Sequence, residues 1–283
     1  MDKNTLSKLD ELKLVYYEIL NGYTFDFESS LYIKHFSEKE SHLLLVKKME
    51  LQTYYEKNEV PSEAELLKNA MATGEWTQEK EDKILELKYR LSDNEKNLHN
   101  IIPEQRPWIE SQLELARKEL QLIYTERKMT LGRSVQDLVD EDVNDYVCYI
   151  SCFKDKELTI PLQDTYENYQ DWEPLELNKV SVAFSRVYNK FSEENIKQIA
   201  SMPFFLNKFR YSKDDFYGFL GIPLSKISHN QIHLMSLGSK NINTLNHCEN
   251  EPPDINLEAT IPQVAHWYEM QYSIQLAKQK QSK

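Results

Sequence analysis

Glycine is scarce in this chain, six residues in 283, against an average usage of about 7%. Scarcity makes each one legible. Gly22, Gly74 and Gly132 each close an amphipathic run, where a left-handed residue stops a helix. Gly238 interrupts a helical pattern, at a cost of about 1 kcal/mol relative to Ala, which predicts a close helix contact. Gly218 and Gly221 share one segment, so no glycine cluster is left to cradle a phosphate. Walker A, dinucleotide, G-x-S-x-G and kinase motifs are all missing. Three cysteines give no disulfide framework and suit a reducing compartment. No apolar run approaches the ~18 residues of a membrane span, and Met1-Asp2-Lys3-Asn4 carries no apolar leader. Basic blocks are missing too: Lys and Arg number 34 against 46 Asp and Glu, a formal net charge of −12. Phosphate neutralisation needs clustered cations. The expectation is a cytosolic protein that engages neither membrane nor nucleic acid.

What the chain has is helical periodicity. In residues 77–131, Ile84, Leu87, Leu91, Asn94, Leu98 and Ile101 alternate at spacings of three and four. Ile109, Leu113, Ala116, Leu120 and Ile123 do the same. Each set is one narrow a/d seam among Glu, Lys, Arg and Gln. Pro103 and Pro107 break the helix between them, since an interior proline costs roughly 3 kcal/mol. Two adjacent seams of matched length pair antiparallel most easily. The segment therefore reads as a long antiparallel coiled-coil hairpin.

Around it, helix starts are written as capping boxes: Ser37 with Glu40, Ser62 with Glu65, Ser134 with Asp137, Ser228 with Gln231 and Thr260 with Gln263. Tyr23-Thr24-Phe25-Asp26-Phe27 and Leu31-Tyr32-Ile33-Lys34 form the one good β-hairpin signal. Such a hairpin is marginal alone, so Phe25, Phe27 or Tyr32 should lie against helices. Residues 154–174 lack periodicity, and 203–227 read as irregular and aromatic-rich, more in keeping with packed core than with a ligand pocket. The fold class is mostly α: a multi-helix protein with the coiled-coil hairpin and one small N-terminal β-hairpin. Its expected parts are 1–76, 77–132 and 133–283.

Chemistry is thin. Cys148 and Cys152, with His229 and His233, form two i,i+4 pairs that would each present two soft ligands on one helical face, and His247-Cys248 stands nearby. Yet Cys148 and Cys152 lie among Tyr146, Val147, Ile150 and Phe153, as core cysteines do. His229-Asn-Gln-Ile-His233 also lacks the glutamate of a zinc-protease helix. They remain weak metal candidates. Asp214-Asp215 and Glu193-Glu194 read as solvated or capping carboxylates. No catalytic residue and no cofactor are expected. The seam residues Ile84, Leu87, Leu91, Leu98, Ile109, Leu113, Leu120 and Ile123 are the expected partner-binding device, because polar flanks leave little apolar surface for a third layer.

Six short strings recur in a familiar order: Lys34-His35-Phe36-Ser37, Val60-Pro61-Ser62-Glu63, Gly74-Glu75-Trp76-Thr77, Pro203-Phe204-Phe205-Leu206, Phe219-Leu220-Gly221-Ile222-Pro223 and Trp267-Tyr268-Glu269. Together they resemble poorly characterised structural and assembly proteins of large tailed bacteriophages. None of the strings is catalytic, and none carries a functional residue over. The resemblance implies a non-enzymatic virion component or a tail or head assembly chaperone, located in the host cytoplasm or the virion. Its partners would be other phage structural or assembly proteins, or a second copy in a homo-oligomer. Two alternatives stay open: a regulatory or counter-defence protein that binds a host enzyme, and a metal-dependent enzyme built on the Cys/His set.

Overall fold

The computed structural model describes residues 3–97, 106–212, 215–248, 250–254 and 260–281. The described residues are mostly helical, 75%, with a small three-stranded antiparallel sheet. Helix α1 (Lys3–Asn21) stops at Gly22, whose φ of +72° is the left-handed stop its position predicts. Strands β1 (Tyr23–Asp26) and β2 (Leu31–Lys34) follow, antiparallel, with Thr24 opposite Ile33. A third strand, β3 (Cys152–Phe153), adds to the other edge of β2 with Cys152 opposite Ile33. Two residues directly after a helix carry no readable strand period.

The sheet turns its aromatic face away from the core, contrary to expectation. Phe27 is 85% exposed, and Phe25 and Tyr32 are half-buried against each other at 4.7 Å. The buried positions of β1 and β2 are Thr24, Asp26 and Ile33. The polar two can go inside because each is satisfied there. Thr24 Oγ1 meets His35 Nε2 at 3.1 Å, and Asp26 accepts from Arg186 Nη1 at 2.9 Å and from Ser29 Oγ at 2.7 Å.

The chain continues through α2 (Glu38–Lys57), α3 (Glu63–Thr73), α4 (Gln78–Asn97), α5 (Arg106–Leu131) and α6 (Val135–Ser151). Lys47–Val143 forms one compact unit, and Met1–Val46 with Asn144–Lys283 forms the other. The division falls inside α2 and α6 rather than at residues 76 and 132. One reason is that α3 packs on α5, so the segment before residue 77 belongs with the paired helices.

The larger unit adds α7 (Tyr166–Gln170), α8 (Pro174–Tyr188), α9 (Glu193–Ala200), α10 (Pro203–Ser212), α11 (Phe216–Leu220), α12 (His229–His247) and α13 (Ile261–Gln281). Its core joins Leu12, Tyr16 and Ile19 of α1 to Ile199 of α9, Phe205 and Phe209 of α10, Leu234 and Met235 of α12, and Val264 and Tyr268 of α13. The stretch 203–227 is therefore largely helical, not irregular. Pro203 opens α10, where a missing N–H would have had no helical partner anyway. Its aromatics do enter the core: the buried rings of Phe205 and Phe209 stack at 5.3 Å. Asn241 of α12 is buried and donates to the Ala200 carbonyl at the end of α9, 3.0 Å away. Among the described residues, no helix is long and apolar enough to cross a membrane.

Gly238 is the close contact its position predicts. A Cβ there would stand 2.9 Å from atoms of both Phe205 and Phe209, whose rings are buried in the core. Gly238→Ala therefore sets a helix-propensity gain of about 1 kcal/mol against an overpacking cost of about 1–3 kcal/mol. A net loss of up to about 2 kcal/mol is expected, read as a lowered melting midpoint by circular dichroism. An unchanged or raised midpoint would show that the rings give way.

Candidate protein-interaction surface

The paired helices α4 and α5 start and stop as their sequences dictate. Glu79 and Glu81 stand in the first turn of α4, where negative charge favours the helix dipole. Gly132, at φ +78°, ends α5 and donates to the Lys128 carbonyl. Between these points the two helices pack on each other with opposite chain sense. Lys80 Nζ meets Glu126 at 2.6 Å, Lys83 Nζ meets Glu119 at 3.6 Å, and Arg90 Nη2 donates to Gln112 at 2.7 Å. As one residue number rises, its partner's falls. On the opposite side Lys88 Nζ lies 5.4 Å over the Tyr124 ring.

The seam residues fall between these two sets of contacts. Ile84, Leu87, Leu113 and Ala116 are buried, and Leu91, Ile109, Leu120 and Ile123 are half-buried. Leu98 lies outside the described residues. At the base a third layer is present after all. Ala70, Trp76, Ile84 and Leu131 form a small core with Leu66, Leu67, Met71, Leu120 and Ile123, so α3 covers apolar surface that the seam alone leaves open. A polar clamp closes this base: Arg127 of α5 pairs with Glu81 Oε1 at 2.6 Å and with Glu63. The Trp76 indole N–H donates to the same Glu81 oxygen at 2.8 Å, and Lys80 sits 4.7 Å over its ring.

One feature escaped the sequence reading. Trp108, Leu115, Leu122 and Met129 of α5 are 64%, 56%, 71% and 81% exposed, and they recur every seven residues. A strict seven-residue repeat keeps them on one face of the helix, beside the seam rather than in it. The signal was available as that spacing. The a/d seam accounts for the helix without it.

The Cys/His set is not brought together. Cys148 and Cys152 are buried in the core of the larger unit. Burial first, then nearby Asp145, pushes the Cys148 thiol up to about 12, and burial likewise raises Cys152. His229 is exposed and its Nε2 bonds Ser41 Oγ at 2.7 Å, while His233 is half-buried. Cys248 is half-buried and its thiol donates to Gln271 at 3.2 Å. Among the described residues, no three His, Cys, Asp or Glu side chains gather as a metal site would require. Glu193 and Glu194 serve the first turn of α9, and Asp214 lies outside the described residues.

The α4/α5 pair thus combines a closed seam, a clamped base and a row of large apolar side chains left in water. Comparison of the chain with protein-family models, with curated proteins and with solved structures finds no match.

Proposed function

We propose that this chain is a non-enzymatic protein-binding component whose working surface is the α4/α5 pair, acting as an antiparallel coiled-coil hairpin. The observation that carries the reading is the exposed row on α5. A helix whose seam is already filled gains nothing for its own fold from four more large apolar side chains. Exposed apolar surface of that kind marks a contact site. The coiled-coil assignment is supported by the contacts that cross between the helices on both sides of the seam. This reading moves the working surface from the seam residues, which hold the two helices together, to the outward face beside them.

Following the sequence resemblance, the partners are other structural or assembly proteins of a tailed bacteriophage, met in the host cytoplasm or in the particle. The test is affinity capture of the tagged chain from infected cells, with mass spectrometry of purified virions alongside. Capsid or tail proteins should co-purify, and the Leu115→Ser/Leu122→Ser variant should lose them. Recovery with neither, or with a host enzyme alone early in infection, would overturn the assembly role.

A further inference from the structure

The apolar row on α5 has a counterpart on α4. Glu79, Glu86 and Asp93 are also seven apart, and all three are exposed. The two rows lie on the same side of the pair. Lys83 bonds Glu86 on its own helix at 3.4 Å and Glu119 across the seam at 3.6 Å. Glu119 in turn stands between Leu115, four residues before it, and Leu122, three after, the spacings that share a helix face. The crossing contacts Lys83–Glu119 and Arg90–Gln112 also fix the level of each position. Glu79 falls opposite Leu122, Glu86 opposite Leu115 and Asp93 opposite Trp108. The result is a groove with an apolar wall on α5, an acidic wall on α4 and a polar ladder along its floor. From Trp108 to Met129 the apolar wall runs about 32 Å at about 1.5 Å per residue.

We propose that this groove takes a third helix. Its occupant is an amphipathic segment of about 20 residues in a partner protein, with an apolar stripe set on α5 and Lys or Arg along the flank that faces α4. The inference rests on the contact-surface reading above and names the partner's chemistry. Apolar contact supplies the adhesion, as an amphipathic helix in a groove does. The acidic wall supplies orientation and rejects a helix with acidic flanks, since like charges brought together repel.

The test uses the full chain and two fluorescein-labelled 21-residue synthetic helices with leucine at every a and d position. One carries lysine at every e and g position, and its twin carries glutamate there. Fluorescence anisotropy in low salt should show the lysine helix binding at least tenfold more tightly, with the difference shrinking in 0.5 M salt as exposed charges are screened. The Glu79→Gln/Glu86→Gln/Asp93→Asn variant should erase the preference. Leu115→Ser/Leu122→Ser should lose both helices, with its far-ultraviolet circular dichroism unchanged. Equal binding of both helices, lost in the serine variant, overturns the basic-flank inference and leaves the contact surface standing. Binding of neither helix, or binding indifferent to the serine substitutions, overturns both. A concentration-dependent dimer of the chain alone, dissolved by the same substitutions in sedimentation, would assign the groove to a second copy and overturn the proposal.

Discussion

Leu87→Asp is expected to unfold the Lys47–Val143 unit while the larger unit stays folded. Leu87 is fully buried, and the crossing contacts put it level with Leu113 and Ala116, which are buried too. None of these neighbours offers a hydrogen bond to a carboxylate. An unpaired buried charge is destabilising by about 3–5 kcal/mol, and the lost leucine burial adds about 2 kcal/mol more. That is a large share of what so small a core can supply, since the base cluster has four buried members among the described residues. Scanning calorimetry should show the transition of this unit lost and that of the larger one kept, because the main core shares no residue with the base cluster. The same change at half-buried Leu91 or Leu120 should cost less, since the carboxylate can reach water. Equal melting of all three variants would refute the seam geometry.

The second large effect is acid lability below neutral pH. His35 is the one buried histidine among the described residues. Burial, and secondarily the cation of Lys190, holds its pKa down at about 3, against 6.5 for a free side chain. The groups that face it are Lys190, which pairs with Glu18 at 3.0 Å, the Thr24 hydroxyl and the Phe191 ring. The folded protein refuses a proton that the unfolded chain accepts, so the unfolded state binds more protons and stability rises with pH. The contribution is whole above pH 6.5 and is lost progressively as pH falls towards 3. At pH 5 the loss is about 2 kcal/mol, at about 1.4 kcal/mol per pH unit.

Glu40 adds a second step lower down. Burial alone raises its pKa, but hydrogen bonds from Lys34 and Ser37 outweigh that and hold it at about 2. Its contribution is present above 4.5 and fades as pH falls to 2. Denaturant titrations from pH 7.5 to 4.5 should therefore show a falling midpoint. His35→Gln, which keeps a partner for Thr24 and cannot titrate, should flatten the part between pH 6.5 and 5. A slope unchanged by that substitution would remove His35 as the cause.

Where the chain makes its structure locally, the sequence was readable. Each of the five capping pairs exists as a hydrogen bond, from the backbone N–H of Ser37, Ser62, Ser134, Ser228 and Thr260 to its partner three residues on. Gly22, Gly74 and Gly132 all hold left-handed angles. These features depend on four or five adjacent residues, so local chemistry decides them. The misreadings share the opposite trait. The inward turn of Asp26 depends on Arg186, 160 residues away. The strand at Cys152 depends on an edge more than a hundred residues earlier. The third layer under the paired helices depends on Trp76 meeting Leu131. In the candidate surface the burial of Ile84, Leu87, Leu113 and Ala116 was legible because apolar spacing is a property of one helix. The level of α4 against α5 was not, because it needs the register of two.

The three thiols give the protein an internal clock. Cys248 is partly open to reagent, while Cys148 and Cys152 are sealed in the main core and held protonated. Alkylation therefore proceeds in two stages that differ in kind. The first follows ordinary collision with Cys248. The second waits for the core to breathe, because a thiolate must form and a reagent must enter before reaction. With Cys248 replaced by serine, mass-resolved alkylation counts openings of the larger unit directly, without denaturant and without a spectroscopic label.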